Sequence, residues 1–178
     1  MARSSIAGAS GRLLASTLLG LAFHGWAADL VSDQVIVSGA VKTPLVLKVA
    51  DLKAFPAGQV VEVSLARRID DKDTSSSVRG VSLTAVLQRA ALLSTDERND
   101  WKHTIVVATA TDGYKVVLSW PELFNTDVGP GVLLLFERDG HPLEDREGRI
   151  ALVSTRDLRS GPRSVKWLAR LDVRVLKE

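Results

Sequence analysis

The stretch Gly161-Pro-Arg-Ser-Val-Lys-Trp167 places a guanidinium (Arg163) and an ammonium (Lys166) close to an indole (Trp167). Two cations in so short a run raise the question of a binding site for something anionic and aromatic. The same residues open a strict alternation. Val165, Trp167, Ala169, Leu171, Val173 and Val175 are apolar, while Lys166, Arg170, Asp172 and Arg174 fill the other phase. That is the pattern of a half-buried strand, with Trp167 in the core. It leaves two readings of Arg163 and Lys166 open, solvated edge charges or the wall of a binding site.

Other chemistry is scarce. The chain has no cysteine, which removes thiolate catalysis, iron–sulfur clusters and any metal held by a protein sulfur. His103 and His141 lie far apart in sequence and do not form a metal-ligand spacing. Glu144, Asp145 and Glu147 cluster after the Asp139-Gly140 turn, where solvated charges are the ordinary case. Glycine-rich phosphate loops, His-Glu-x-x-His and Gly-x-Ser-x-Gly are all missing.

The elements that must carry these residues are short. Residues 34–38, 45–49, 60–65, 105–108, 114–118, 132–137 and 150–154 read as strands, several ended by Gly or Asp-Gly turns. Residues 83–91 carry Leu83, Val86, Leu87, Ala90 and Ala91 on one helical face. Ser119-Trp-Pro-Glu122 has the form of a capping box with proline at the first turn, so a short helix follows. Residues 66–79 are polar and aperiodic and read as a long loop. The sum is a mostly-β α+β fold, a single domain with short helices.

The first 27 residues read as a leader. Arg3 and Arg12 precede a short apolar run, Leu13 to Phe23, and Gly25-Trp-Ala27 offers small residues at the cleavage positions. The run is well short of the roughly 20 residues that span a bilayer. Residues 28–178 are then an exported domain, with the periplasm as the expected location. The chain carries 23 Lys+Arg against 21 Asp+Glu, and removing the leader's two arginines leaves 21 against 21. A neutral mature chain does not call for a nucleic-acid partner.

Resemblance to a known family extends this reading. Residues 37–56 (VSGAVKTPLVLKVADLKAFP) resemble the opening of the molybdopterin-binding domain of the sulfite oxidase family. The likeness continues through Gly80-Val81-x-Leu83, Asp112-Gly-Tyr114 and LLLFERDGHPLEDREG, and closes on GPRSVKWLARLDV. It implies the sulfite oxidase-like molybdopterin-binding fold. It also implies that Arg163, Ser164, Val165 and Lys166 lie along a pterin and its phosphate, with Tyr114 and Asp127 as further contacts and Asp157 orienting Arg163.

One departure bears on function. The family holds molybdenum through a cysteine in a Leu-x-Cys step; aligned on Leu65 that position is Arg67, and without a gap it is Ala66. A family histidine and arginine correspond to positions near Glu147 and Leu152. Arg67 would then put a positive charge where the metal centre sits. The expected ligand is a reduced pterin or a molybdopterin-type molecule, with no metal and no catalysis. The expected role is to relay ligand occupancy to the periplasmic domain of a membrane protein. The alternative is a molybdopterin-dependent oxidoreductase or its accessory subunit. The leader makes a direct prediction: protein recovered from the periplasm begins at Ala28, and Edman sequencing that returns Met1 contradicts it.

Overall fold

The computed structural model describes Met1 and residues 31–69, 72–96, 99–159 and 161–177. Residues 2–27 of the expected leader lie outside it, as do the side chains of residues 67–73, Arg67 among them. Among the described residues, no helix is long and apolar enough to cross a membrane.

Among the described residues, ten strands form two five-stranded sheets. The first runs in the order β2 (Leu45–Lys48), β1 (Gln34–Gly39), β10 (Leu168–Val175), β5 (Thr104–Ala110), β6 (Lys115–Ser119). The second runs β3 (Val60–Ile69), β4 (Lys72–Ser82), β7 (Val132–Arg138), β8 (His141–Pro142), and β9 (Ala151–Ser154) also pairs with β7. Only β1 and β10 pair in parallel; the remaining pairs are antiparallel. The α+β, mostly-β expectation holds.

The main core lies between the sheets. It takes Val35 and Val37 from β1, Leu171 and Val173 from β10, and Leu134 and Phe136 from β7. The helices close it. α1 (Val49–Lys53) contributes Leu52, α2 (Leu83–Ala90) contributes Leu83, Val86 and Leu87, and α3 (Trp120–Asn125) contributes Leu123. Alternate residues of β7, Leu133 and Leu135, instead join Leu65, Val78 and Val153 in a second cluster. Alternation along one strand thus feeds two cores, which explains why residues 132–136 are continuously apolar.

Local chemistry sets the ends. Ser119 Oγ accepts from Glu122 N at 3.1 Å, and the Glu122 carboxylate accepts from Ser119 N at 3.3 Å, completing the capping box at α3. α2 stops one residue earlier than its apolar face, because Ala91 has φ +54°. Gly80 sits where β4 passes closest to β7, beside a register shift at Arg79/Gly80. A Cβ there would stand 2.4 Å from the Leu134 carbonyl oxygen.

Two expectations need correction. Residues 66–69 and 72–79 are not loop but the outer arm of the β3–β4 hairpin, paired from Leu65↔Ser76 to Ile69↔Lys72. Beyond Leu65 and Val78 the described side chains of the arm, Ala66 and Thr74–Ser77, join neither core, and no apolar period shows there. The second concerns Trp167, which is not core. It has φ +49°, and a register shift between Leu168 and Arg170 moves the alternation, so that Leu168 takes the buried place.

Gly80→Ala is expected to lower stability by about 1–3 kcal/mol through overpacking of the β4–β7 ladder. Urea unfolding of the variant beside wild type checks this, and equal midpoints refute it.

Candidate functional site

Residues 161–168 cross from one sheet to the other. Val165 and Leu152 exchange both backbone hydrogen bonds at 2.8 Å, Trp167 N donates to Glu147 O at 2.8 Å, and Leu168 N donates to Ile150 O at 2.9 Å. Thr111 N donates to Trp167 O at 3.0 Å. The Trp167 indole Nε1 donates to Asp145 O at 2.7 Å. Gly148, at φ +84°, lies so close that a Cβ would stand 2.7 Å from Trp167 Cα. A tryptophan at positive φ is an uncommon and costly conformation, kept here by contacts on both sides.

Trp167 forms the wall of an open cleft of about 430 Å³, together with Asp112, Tyr114, Gly161, Ser164 and Lys166. That size falls within the range of small-molecule sites. Lys166 also lines a second depression of about 250 Å³ with Thr74, Ser75, Ser76, Arg138, Arg146 and Glu147. One depression is aromatic, the other is rich in hydroxyls and charge, and the lysine stands between them.

Most of the charge around this site is paired. Arg138 donates from Nε and Nη2 to the two Glu147 carboxylate oxygens, both at 2.9 Å, and from Nη1 to Ser76 Oγ at 2.6 Å. Glu147 is buried. Arg146 pairs with Glu144 at 2.6 Å on the exposed surface. Lys166 has no ion-pair partner among the described residues and remains exposed. It is the cation best placed to meet a ligand.

Arg163 behaves otherwise. Its Nε donates to Asp157 Oδ2 at 2.6 Å, Nη2 donates to Asp157 Oδ1, and Nη1 donates to Glu122 Oε1. Ser154 Oγ donates to Asp157 Oδ1 at 2.7 Å. The hydrogen bonds from Arg163 hold Asp157 below its usual 3.8; Ser154 adds to this and partial burial opposes it. The two carboxylates raise Arg163 further above its already high value, Asp157 contributing most.

The residues singled out in the sequence therefore separate. Tyr114, Ser164 and Lys166 come together in the cleft wall. Arg163 turns its guanidinium to carboxylates, as expected of Asp157, and is not among the lining residues. Val165 is fully buried with its N–H and C=O already bonded to Leu152, so it has no backbone contact to offer. Asp127 is exposed on the turn after α3, where its carbonyl accepts from Arg156 Nη1 at 2.8 Å, and it lines neither depression. The backbone at Arg67 pairs with Thr74, which sets that position beside the second depression. Missed were Trp167, hidden by an apparent core phase, and Ser75 and Ser76, which carried no pattern of their own; Glu147, read as a solvated loop charge, is instead buried against Arg138.

Two packed sheets, with an aromatic cleft where the chain crosses between them, define a two-sheet, mostly-β fold. Residues 24–177 match the family described as the oxidoreductase molybdopterin binding domain, and the chain belongs to that family. Among solved structures it resembles the sulfane dehydrogenase SoxCD from Paracoccus pantotrophus, at 18% identity and a TM-score of 0.59. That match covers 80% of this chain and 38% of the SoxCD chain, so it speaks for the fold. No curated protein matches the chain.

The residues fit the two halves of the family's cofactor unequally. Tyr114, Trp167 and Lys166 suit a planar heterocycle bearing polar edges. A protein sulfur for molybdenum is lacking, since the chain has no cysteine. Among the described residues, no group of three His, Asp or Glu could hold a metal ion in its place.

Arg163→Ala is expected to lower stability by roughly 2–3 kcal/mol, because it leaves two partly buried carboxylates facing each other. An unchanged melting temperature refutes this. The depressed Asp157 contributes stability that is complete above the usual 3.8 and is lost as pH falls through its lower folded value. Asp157→Asn should therefore flatten the acid limb of the stability curve, measured by urea unfolding from pH 6 downward.

Proposed function

We propose that the protein binds a reduced pterin in the Tyr114–Trp167 cleft and holds no molybdenum through its own side chains. It acts by binding rather than by turnover. It works in the periplasm and passes the state of occupancy to the periplasmic domain of a membrane protein. Support comes from one juxtaposition above all: two aromatic rings and the exposed Lys166 share a cleft, in a chain that has no cysteine.

The chemistry follows from the lining. Trp167 and Tyr114 offer faces on which a bicyclic ring stacks, worth about 1–3 kcal/mol per aromatic contact. Ser164 and Asp112 present a hydroxyl and a carboxylate, able to accept from the amino and imino hydrogens of a pterin edge. Lys166 faces the oxygen of the ring or an oxygen-bearing side chain of the ligand. The second depression beside it has room for that side chain. If a complete molybdopterin binds instead, these same residues hold its pterin, and the metal supplies the redox chemistry when bound.

Calorimetric titration with tetrahydrobiopterin tests the proposal. Wild type is expected to bind one equivalent, and Trp167→Ala to lose about 1–3 kcal/mol of affinity. Lys166→Ala should bind more weakly with its melting temperature nearly unchanged, since the ammonium makes no ion pair among the described residues. Absence of binding by wild type, or one molybdenum per chain in protein purified from its own periplasm, overturns the proposal.

A further inference from the structure

Arg163 ends a short 3-10 turn, Gly161–Arg163, whose neighbours Gly161 and Ser164 both line the aromatic cleft. Between them, the Pro162 carbonyl accepts the Tyr114 hydroxyl at 2.7 Å. Tyr114 in turn precedes β6, and β6 runs directly into α3, which carries Glu122. Glu122 returns to Arg163. The links close into a ring: Tyr114, β6, α3, Glu122, Arg163, Pro162 and Tyr114 again. Asp157 braces it from the end of β9, where Ser154 fixes its carboxylate.

We propose that Glu122 and Asp157 are positioning residues for the ligand, acting through Arg163 on the Pro162 carbonyl and thereby on the Tyr114 ring. The inference rests on the pterin reading above. Its physical basis is that a planar guanidinium bridging two carboxylates fixes both distance and orientation, which a point charge cannot do. With the turn held from α3 and from β9, the Pro162 oxygen has one position and the phenol meets it there. Loss of either carboxylate frees the guanidinium to pivot about the other. The rim of the cleft then moves with it.

Glu122→Gln is the chosen variant, because glutamine still accepts from Ser119 N and keeps the α3 cap while losing the ion pair. Tyr114 is the only tyrosine of the chain, so protein grown with 3-fluorotyrosine reports on this ring through a single ¹⁹F resonance. Glu122→Gln and Asp157→Asn are expected to shift that resonance and to weaken tetrahydrobiopterin binding about 3- to 10-fold, the scale of one ordinary hydrogen bond. Asp172→Asn, whose partner is Arg174 and which lines neither depression, should do neither. In a double-mutant cycle, Tyr114→Phe combined with Glu122→Gln should lose no more affinity than Tyr114→Phe alone. Additive losses, or a resonance that does not move in Glu122→Gln, overturn the inference and leave the pterin reading standing. A shifted resonance in a protein whose wild type takes no tetrahydrobiopterin supports the positional coupling and overturns the pterin reading.

Discussion

The passage of residues 163–168 between the sheets is the constraint on which the site depends. Val165 is bound to β9 through both of its backbone groups, and three residues later the chain has become β10 of the other sheet. Trp167 sits at the changeover, its N–H committed to one side through Glu147 and its C=O to the other through Thr111. With both backbone groups committed, the residue has little freedom left, and positive φ is the conformation that satisfies both. The indole projects into the cleft as a result. The site is therefore a by-product of the join between sheets, and loosening the join would displace its main aromatic wall.

Charge pairing refines this arrangement. Two arginines lie near the cleft in positions from which each could have met a ligand, and each is taken up by carboxylates: Arg138 by Glu147, Arg163 by Asp157 and Glu122. Such partly buried pairs add modestly to net stability once desolvation is counted, but removing one member leaves an uncompensated charge. Their effect is on geometry. They hold the β3–β4 hairpin, the 139–150 segment and α3 in fixed relation around Lys166, which keeps its ammonium exposed.

Much of the fold could be read from the residues, and the reasons differ by element. The capping box at Ser119, the face of α2 and the buried run of β7 each carry their own local requirement, and each appears where expected. The outer arm of the β3–β4 hairpin did not show itself, because its described side chains, Ala66 and Thr74–Ser77, join neither core and set no period. Trp167 misled for the opposite reason: its place in a perfect alternation concealed a register shift that only tertiary pairing reveals. Of the site, Tyr114, Ser164 and Lys166 were accessible through family resemblance. The role of Arg163 depends on Glu122, 41 residues away, and no local pattern connects them.

The parallel pairing of β1 with β10 has a consequence for the order of folding. The β1–β2 hairpin and the β5–β6 hairpin of the first sheet touch each other only through β10. Until β10 has inserted between them, the two hairpins share no hydrogen-bonded strand, and the first sheet is incomplete. A two-stranded hairpin alone is at best marginally stable in water, and closing contacts of such long sequence separation is slow. The first sheet is therefore completed late relative to its two hairpins, and its closure is the slow step expected of this topology.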